Sequence, residues 1–353
     1  MSQIFISNSI LAGFITSFLV CLLVLLTQRY HGAQTFDATE GVQKFHQTPT
    51  PRIGGIALAA GFLVGWMFLE TEAQRLFGWL CLAGSPVLIF GLLEDIFANV
   101  SVRRRLFASI AAALLFCFLT GFSIERIHVW WFDIFLAVSA ISVAFTVLAI
   151  ATATNAINII DGFHGLASGT TLIMLAAILF ISGTAGDTEL VEITALAFAV
   201  TLGFFVLNFP FGKIFLGDGG AYFLGFLVAV LTIILPARNP EVSPWLSPLI
   251  LCYPLTELTV SMARKTRRAG HHFSQPDHLH LHMLVYRTIG RQIGNRPEYI
   301  SHGLTSLCLW SMPIASLGLI LASDLSAKFA YLSTLGIWLF YLFIYNIALR
   351  LDR

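Results

Sequence analysis

The chain has 353 residues, of which 57% are hydrophobic and 11% charged, and its net charge is +1. A soluble domain carries about 25% charged residues, so the composition excludes an ordinary soluble fold, and nothing global points to nucleic acid. The five cysteines all lie inside apolar runs without a CxxC pair, which reads as small buried hydrophobes and gives no disulfide framework.

Apolar runs near the ~20 residues of a membrane-spanning helix recur along the chain. Backbone in lipid must satisfy its own hydrogen bonds, so these runs are expected to be helices; a β-barrel would show alternating segments of ~10 residues instead. Eleven spans are expected, at about 4–27, 53–70, 76–93, 104–121, 134–153, 165–183, 190–207, 220–236, 246–263, 301–321 and 329–349. The first cation, Arg29, follows the first run, which argues for a retained helix over a cleaved signal peptide. With the N-terminus outside, only Arg75, Arg126, Arg238 and Lys328 of the 20 Lys and Arg residues face outward. That asymmetry predicts a cytoplasmic C-terminus. The fold class is therefore an all-α polytopic membrane protein with about 11 transmembrane helices. It forms one membrane-embedded domain over 1–353, with a long basic cytoplasmic loop at 264–300.

In this topology every polar cluster faces the cytoplasm. The loop KFHQTPTPRIGG carries Lys44, His46 and Arg52 before the second span. GLLED ends the third span with Glu94 and Asp95, either a metal- or phosphate-handling pair or a solvated helix end. NAINIIDGFHGLASG places Asn155, Asn158 and Asp161 at i, i+3 and i+6. On a helix Asn155 and Asn158 lie near one face, and amide and carboxylate oxygens are hard ligands suited to Mg²⁺. A helix stop explains the glycines there but not two amides in an apolar run. GDGG brackets Asp218, an N-cap or a metal-holding carboxylate beside a helix N-terminus that accepts anions. HHFSQPDHLHLH sits in the most basic loop, and an extended chain puts His278, His280 and His282 on one side. Without a nearby cysteine or HExxH this suits a nucleotide diphosphate better than zinc. A one-sided site suits a soluble donor and a lipid partner. A transporter would place polar groups near the midplane of two related halves, and no internal repeat is present.

Taken together, PTPRIGG, GLLED, NAINIIDGFHGLASG, FLGDGGAYFLG and PDHLHLH resemble the polyprenyl-phosphate N-acetylhexosamine-1-phosphate transferases of the glycosyltransferase 4 family. Their relatives include phospho-N-acetylmuramoyl-pentapeptide transferase. The PTPR segment with His46 is most similar to the branch that starts O-antigen or similar surface glycans. The resemblance implies a bacterial inner-membrane enzyme with its active site facing the cytoplasm. It implies Mg²⁺, a UDP-N-acetylhexosamine donor and undecaprenyl phosphate as acceptor, and it allows a homodimer. By position it implies Asp218 and Asn158 for the metal and Asp95, with Glu94 and Asp161, for catalysis. Lys44, His46, Arg52, Asn155, His280 and His282 are expected to bind substrate. Three positions depart from the family pattern. Glu94 stands for Asp, His164 for the second Asp of DGxDG, and Met283 for the last His of HxHH. The alternatives are the pentapeptide transferase of peptidoglycan synthesis and, from another class, a transporter or flippase.

Overall fold

The computed structural model describes residues 7–37, 49–267, 279–293, 297–323 and 325–352. Fourteen helices occupy them, joined by short turns. They are α1 (Asn8–Thr35), α2 (Gly54–Trp66), α3 (Thr71–Phe97), α4 (Val102–Thr120), α5 (Trp130–Leu136), α6 (Ser139–Ile160) and α7 (Leu166–Ala185). The remainder are α8 (Thr188–Asn208), α9 (Gly217–Arg238), α10 (Leu246–Ile250), α11 (Cys252–Arg267), α12 (Leu281–Ile293), α13 (Glu298–Leu321) and α14 (Ala327–Leu351). Among the described residues there is no strand, only one bridge between Phe36 and Pro51.

Among the described residues, eight helices are long and apolar enough to cross a membrane: α1, α3, α6, α7, α8, α9, α13 and α14. The protein is thus an all-helical, multi-pass membrane protein. The three other expected spans differ for physical reasons. The helix α2 has 13 residues, and at ~1.5 Å per residue it falls short of a ~30 Å hydrocarbon layer. In α4 the first turn carries Arg103, Arg104 and Arg105. The run expected at 246–263 breaks after Ile250 into α10 and α11. The run expected at 134–153 is also re-cut: α5 ends at Leu136, and α6 continues to Ile160. NAINII is therefore helical, and Asp161 is the residue that ends it.

The bundle is organised around α9. In its most apolar window 89% of residues are buried, against 22% in α1 at the periphery. A helix apolar on every side belongs inside the protein. It packs against α2, α3, α4, α6 and α7. Lipid tails are as apolar as leucine, so close backbone approach holds such helices together. Gly61 of α2 lies against the backbone of Gly13 in α1, and Gly203 of α8 against that of Phe14. Each of those contacts is too tight for a Cβ.

Helix direction alternates, which collects one set of ends at one pole. There the C-termini of α3 and α6 meet the N-termini of α4 and α9 and the segment before α2. The other pole carries a separate polar cluster. Asp187, the N-cap of α8, accepts from the Leu190 amide at 3.1 Å, from Arg238 at 2.8 and 3.1 Å, and from Asn239 at 3.2 Å. Arg238 also pairs with Glu189 at 3.0 Å.

Candidate active site

The first pole encloses a cavity of about 350 Å³. Its wall includes Arg52, Arg105, Asn158, Asp161, Asp218 and His280, with Asp37, His164, His282 and His302 beside them. Small-molecule sites begin near this size.

Close backbone packing sets the geometry. Gly91 of α3 lies against Gly219 of α9, where an added Cβ would stand 2.5 Å from the Gly219 Cα and N. Gly217 has φ +73°, and a Cβ there would collide with the Arg52 carbonyl oxygen. Only glycine combines that backbone with that approach. The result is a carboxylate from one helix on the N-terminus of another. Asp95 accepts the Asp218 amide at 2.8 Å and the Gly219 amide at 2.9 Å. A helix N-terminus offers unpaired N–H groups and partial positive charge, so it holds an anion well. The N-cap of α9 is Leu216, not Asp218; Asp95 supplies the cap from outside the helix. Its side chain has no exposed surface.

Asp218 occupies the first turn of α9 and reaches the cavity. One oxygen accepts from Asn158 Nδ2 at 3.2 Å and faces the Arg52 guanidinium at 3.5 Å. Its other oxygen pairs with Arg105. Arg52 also reaches Asp95 at 3.1 Å and Asp37 at 3.2 Å. Burial alone would lower the Arg52 guanidinium, but the Asp95, Asp218 and Asp37 carboxylates hold it above its ordinary value. Asp161 lines the same cavity. Burial, then the Asp218 and Asp95 charges, push its carboxyl up to about 8 against the pull of Arg52.

The opposite wall is imidazole. His164 bonds the Pro210 carbonyl through Nδ1 at 3.0 Å, and its ring lies 4.1 Å from that of His302. His280 and His282 present parallel rings 5.2 Å apart. Burial holds the His282 imidazole down at about 4, so it is neutral at pH 7. Phe163 seats this wall, stacking on Tyr286 at 4.8 Å and meeting His282 and His302 edge-on.

The expected residues divide accordingly. Arg52, Asn158, Asp161, Asp218, His280 and His282 come together on the cavity. Asp95 lies directly behind Asp218 and holds it. Glu94 turns to the α3–α4 junction, where its carboxylate accepts the Val100 amide at 2.7 Å. Asn155 donates to the Ala151 carbonyl at 2.7 Å and to Ser109 of α4 at 3.4 Å, so it faces α4 while Asn158 faces α9. Lys44, His46 and His278 lie outside the described residues. The motifs did not mark Asp37, Arg105, His302 or Glu257. Arg105 belongs to the RRR run, whose charge bears on membrane orientation and which carries no site motif. Glu257 is a lone acid in an apolar run, and that rarity was its signal.

Among groups able to hold a cation, Asp218, Asn158 and Asp161 offer the hard oxygens that suit Mg²⁺. The cations Arg52 and Arg105 already drawn onto Asp218 show that this spot calls for positive charge. His164, Glu298 and His302 form one further cluster with metal-ligand spacing, and Glu257, His280 and His282 another.

Residues 76–236 match the family model described as glycosyl transferase family 4. That segment contains Asp95, Asn158, Asp161 and Asp218. The chain is similar to the probable undecaprenyl-phosphate N-acetylglucosaminyl 1-phosphate transferase of Bacillus subtilis (strain 168), at 27% identity over 253 residues, covering 68% of this chain and 66% of the relative. It is 29% identical over 302 residues to the decaprenyl-phosphate N-acetylglucosaminephosphotransferase of Mycobacterium tuberculosis (strain ATCC 25618 / H37Rv), covering 77% and 73%. It is 28% identical over 250 residues to the undecaprenyl-phosphate alpha-N-acetylglucosaminyl 1-phosphate transferase of Escherichia coli (strain K12), covering 69% and 67%. The chain thus spans just under two thirds of the Bacillus relative and slightly more of the other two.

Proposed function

We propose, from the chain's membership of glycosyl transferase family 4 through residues 76–236, that it transfers N-acetylhexosamine-1-phosphate from a UDP-sugar to undecaprenyl phosphate. UMP leaves, and the lipid-diphosphate sugar starts a surface glycan such as O-antigen. The observation that carries this reading is the cavity itself. Asp218, Asp161 and Asn158 face the cavity with two arginines and a wall of imidazoles, all at one pole of a membrane-spanning bundle. The names of the relatives support the same acceptor and sugar class.

In this reading a phosphate oxygen of the lipid attacks the donor's β-phosphorus, next to the sugar. That P–O bond forms as the bond from the β-phosphorus to the bridging oxygen breaks, and the oxygen leaves with UMP. One diphosphate replaces another, so the step is nearly balanced. Phosphoryl transfer depends mainly on positioning and on neutralising charge. Asp218 and Asn158 would hold Mg²⁺, with Asp161 nearby, and the ion would supply charge neutralisation for the donor diphosphate. Arg52 and Arg105 add fixed positive charge, and His280 and His282 face the donor. Asp95 takes no proton in this scheme. A phosphate monoester with a second pKa near ~6 is already mostly dianionic at pH 7. Both Asp95 oxygens are also committed to the α9 amides. Its part is to hold Asp218 in place.

The remaining elements of the proposal concern the setting. The site faces the cytoplasm of a bacterial inner membrane, with the N-terminus outside and eleven passes; the short α2 reaches across only together with its flanking turns, α4 with its three arginines at the membrane face, and α10–α11 as a broken pair. The acceptor's prenyl tail stays in lipid while its phosphate reaches the site. A homodimer is compatible with this arrangement. The test is UMP release by the purified protein with Mg²⁺, undecaprenyl phosphate and a panel of UDP-N-acetylhexosamines, including the muramoyl-pentapeptide donor. The expected result is release with an N-acetylhexosamine donor and none with the pentapeptide donor. No release with any UDP-sugar would overturn the reading.

A further inference from the structure

Glu257 lies in the apolar stretch LCYPLTELTV, outside the matched family segment and outside every motif named above. It sits on α11, and 1% of it is exposed. Its Oε1 accepts from His280 Nδ1 at 3.0 Å and from the Leu281 amide at 2.9 Å. Its Oε2 is buried with no hydrogen-bond partner among the described residues. An ionised carboxylate with this little water is costly, and such groups persist where a partner or a task offsets the cost.

The pairing determines how His280 is presented. A carboxylate only accepts, so the proton on that ring must reside on Nδ1. His280 lines the cavity, and Nε2 is the ring nitrogen left to face a ligand. The charge on the carboxylate strengthens the Nδ1–H···Oε1 bond that fixes this heading. Anchoring of the segment does not need Glu257 alone. Arg264 and Tyr345 both bond the Leu279 carbonyl, at 2.9 and 3.1 Å.

We propose that Glu257 is a positioning residue for the nucleotide-sugar donor. Its charged hydrogen bond to Nδ1 sets the tautomer and heading of His280, so that Nε2 is the ring atom presented to the donor. The identity of that ligand rests on the function proposed above.

A double-mutant cycle tests this. UDP-GlcNAc binding is measured by calorimetry on the full-length protein in detergent, without acceptor, for Glu257→Gln, His280→Gln and the double variant. Glutamine keeps the size and an oxygen for the Leu281 amide, so the anchor persists while the charge is lost. Each single variant is expected to weaken donor Kd about tenfold, the scale of one charge-assisted hydrogen bond. The double variant is expected to be no weaker than His280→Gln alone, since both changes remove one interaction. Glu257→Gln binding like the native protein would overturn the inference, as would effects that multiply in the double variant. Should Glu257→Gln fail to fold, Glu257→Asp keeps the charge and shortens the reach. It is expected to weaken binding in the native background and not beside His280→Gln. Equal weakening in both backgrounds would overturn the inference. UMP release separates the two claims. A native protein that binds neither UDP-GlcNAc nor any other UDP-N-acetylhexosamine of the panel overturns both; where another member binds, the cycle is run with that donor, and release of UMP with unchanged Glu257→Gln affinity overturns the inference alone.

Discussion

A methyl group on Gly91 would sit 2.5 Å from the Gly219 backbone, and no side chain can yield there. Gly91→Ala is therefore expected to push α3 off α9, lowering stability by about 1–3 kcal/mol and displacing Asp95 from the α9 amides. Thermal unfolding in detergent checks it. The control is Gly318→Ala, where an added Cβ meets nothing within 4 Å and a small gain is expected from the stiffer unfolded chain. Asp218→Asn should leave the fold intact and cut UMP release by on the order of 100-fold or more, the scale of losing one preorganised electrostatic group. Asn155 and Asn158 show the limit of spacing arguments. Three residues apart on α6, they are neighbours on the helix surface, yet each meets a different helix. Asn158→Ala should therefore impair turnover far more than Asn155→Ala, which loses a contact to Ser109. Comparing the two rates measures that difference.

At the scale of elements, the ends of the long helices carry the site together with the short segments that join them. The tight α3–α4 junction brings Glu94 to the Val100 amide and sends Arg105 back toward Asp218. A second clasp closes the far pole, between the start of α8 and the end of α9. Burial alone would raise the Asp187 carboxyl, but hydrogen bonds from Arg238, Leu190 and Asn239 hold it below its ordinary value. A depressed carboxylate contributes stability above its unfolded pKa of ~3.9, and that contribution is lost as pH falls through the lower folded value. Unfolding temperature should thus drop below pH 4 in the native protein. Asp187→Asn should be less stable at pH 7, by about 2 kcal/mol, with a flatter acid limb. α12 is held differently, by Arg287 on Asp352 at the end of α14, at 2.7 and 2.9 Å. That pair ties the His280–His282 wall to the last helix.

At the scale of the whole molecule, one pole carries the candidate site and the other a structural clasp, with α9 as the axis between them. The proposed orientation puts the candidate site in the cytoplasm. It predicts that a green fluorescent protein fused after Arg353 will fluoresce, and that alkaline phosphatase inserted between α13 and α14 will be active. The reverse pattern would refute the orientation. Much of this arrangement was legible in the sequence, for a local reason. Whether a segment suits lipid depends on its own length and polarity, so the helical membrane class follows from composition and run length. Asp161, Asp218 and Asn158 were legible because polar groups at the ends of apolar runs need a task to justify them. Other features depended on packing between segments far apart in the chain. Glycine contacts between α3 and α9 turned Asp95 into a cap for another helix, Glu94 faced its own junction, and Asn155 faced α4. Arg105, His302 and Glu257 joined the cavity region because distant helices met there. Side-chain direction and the approach of two backbones are properties of that meeting, and no single stretch of residues contains them.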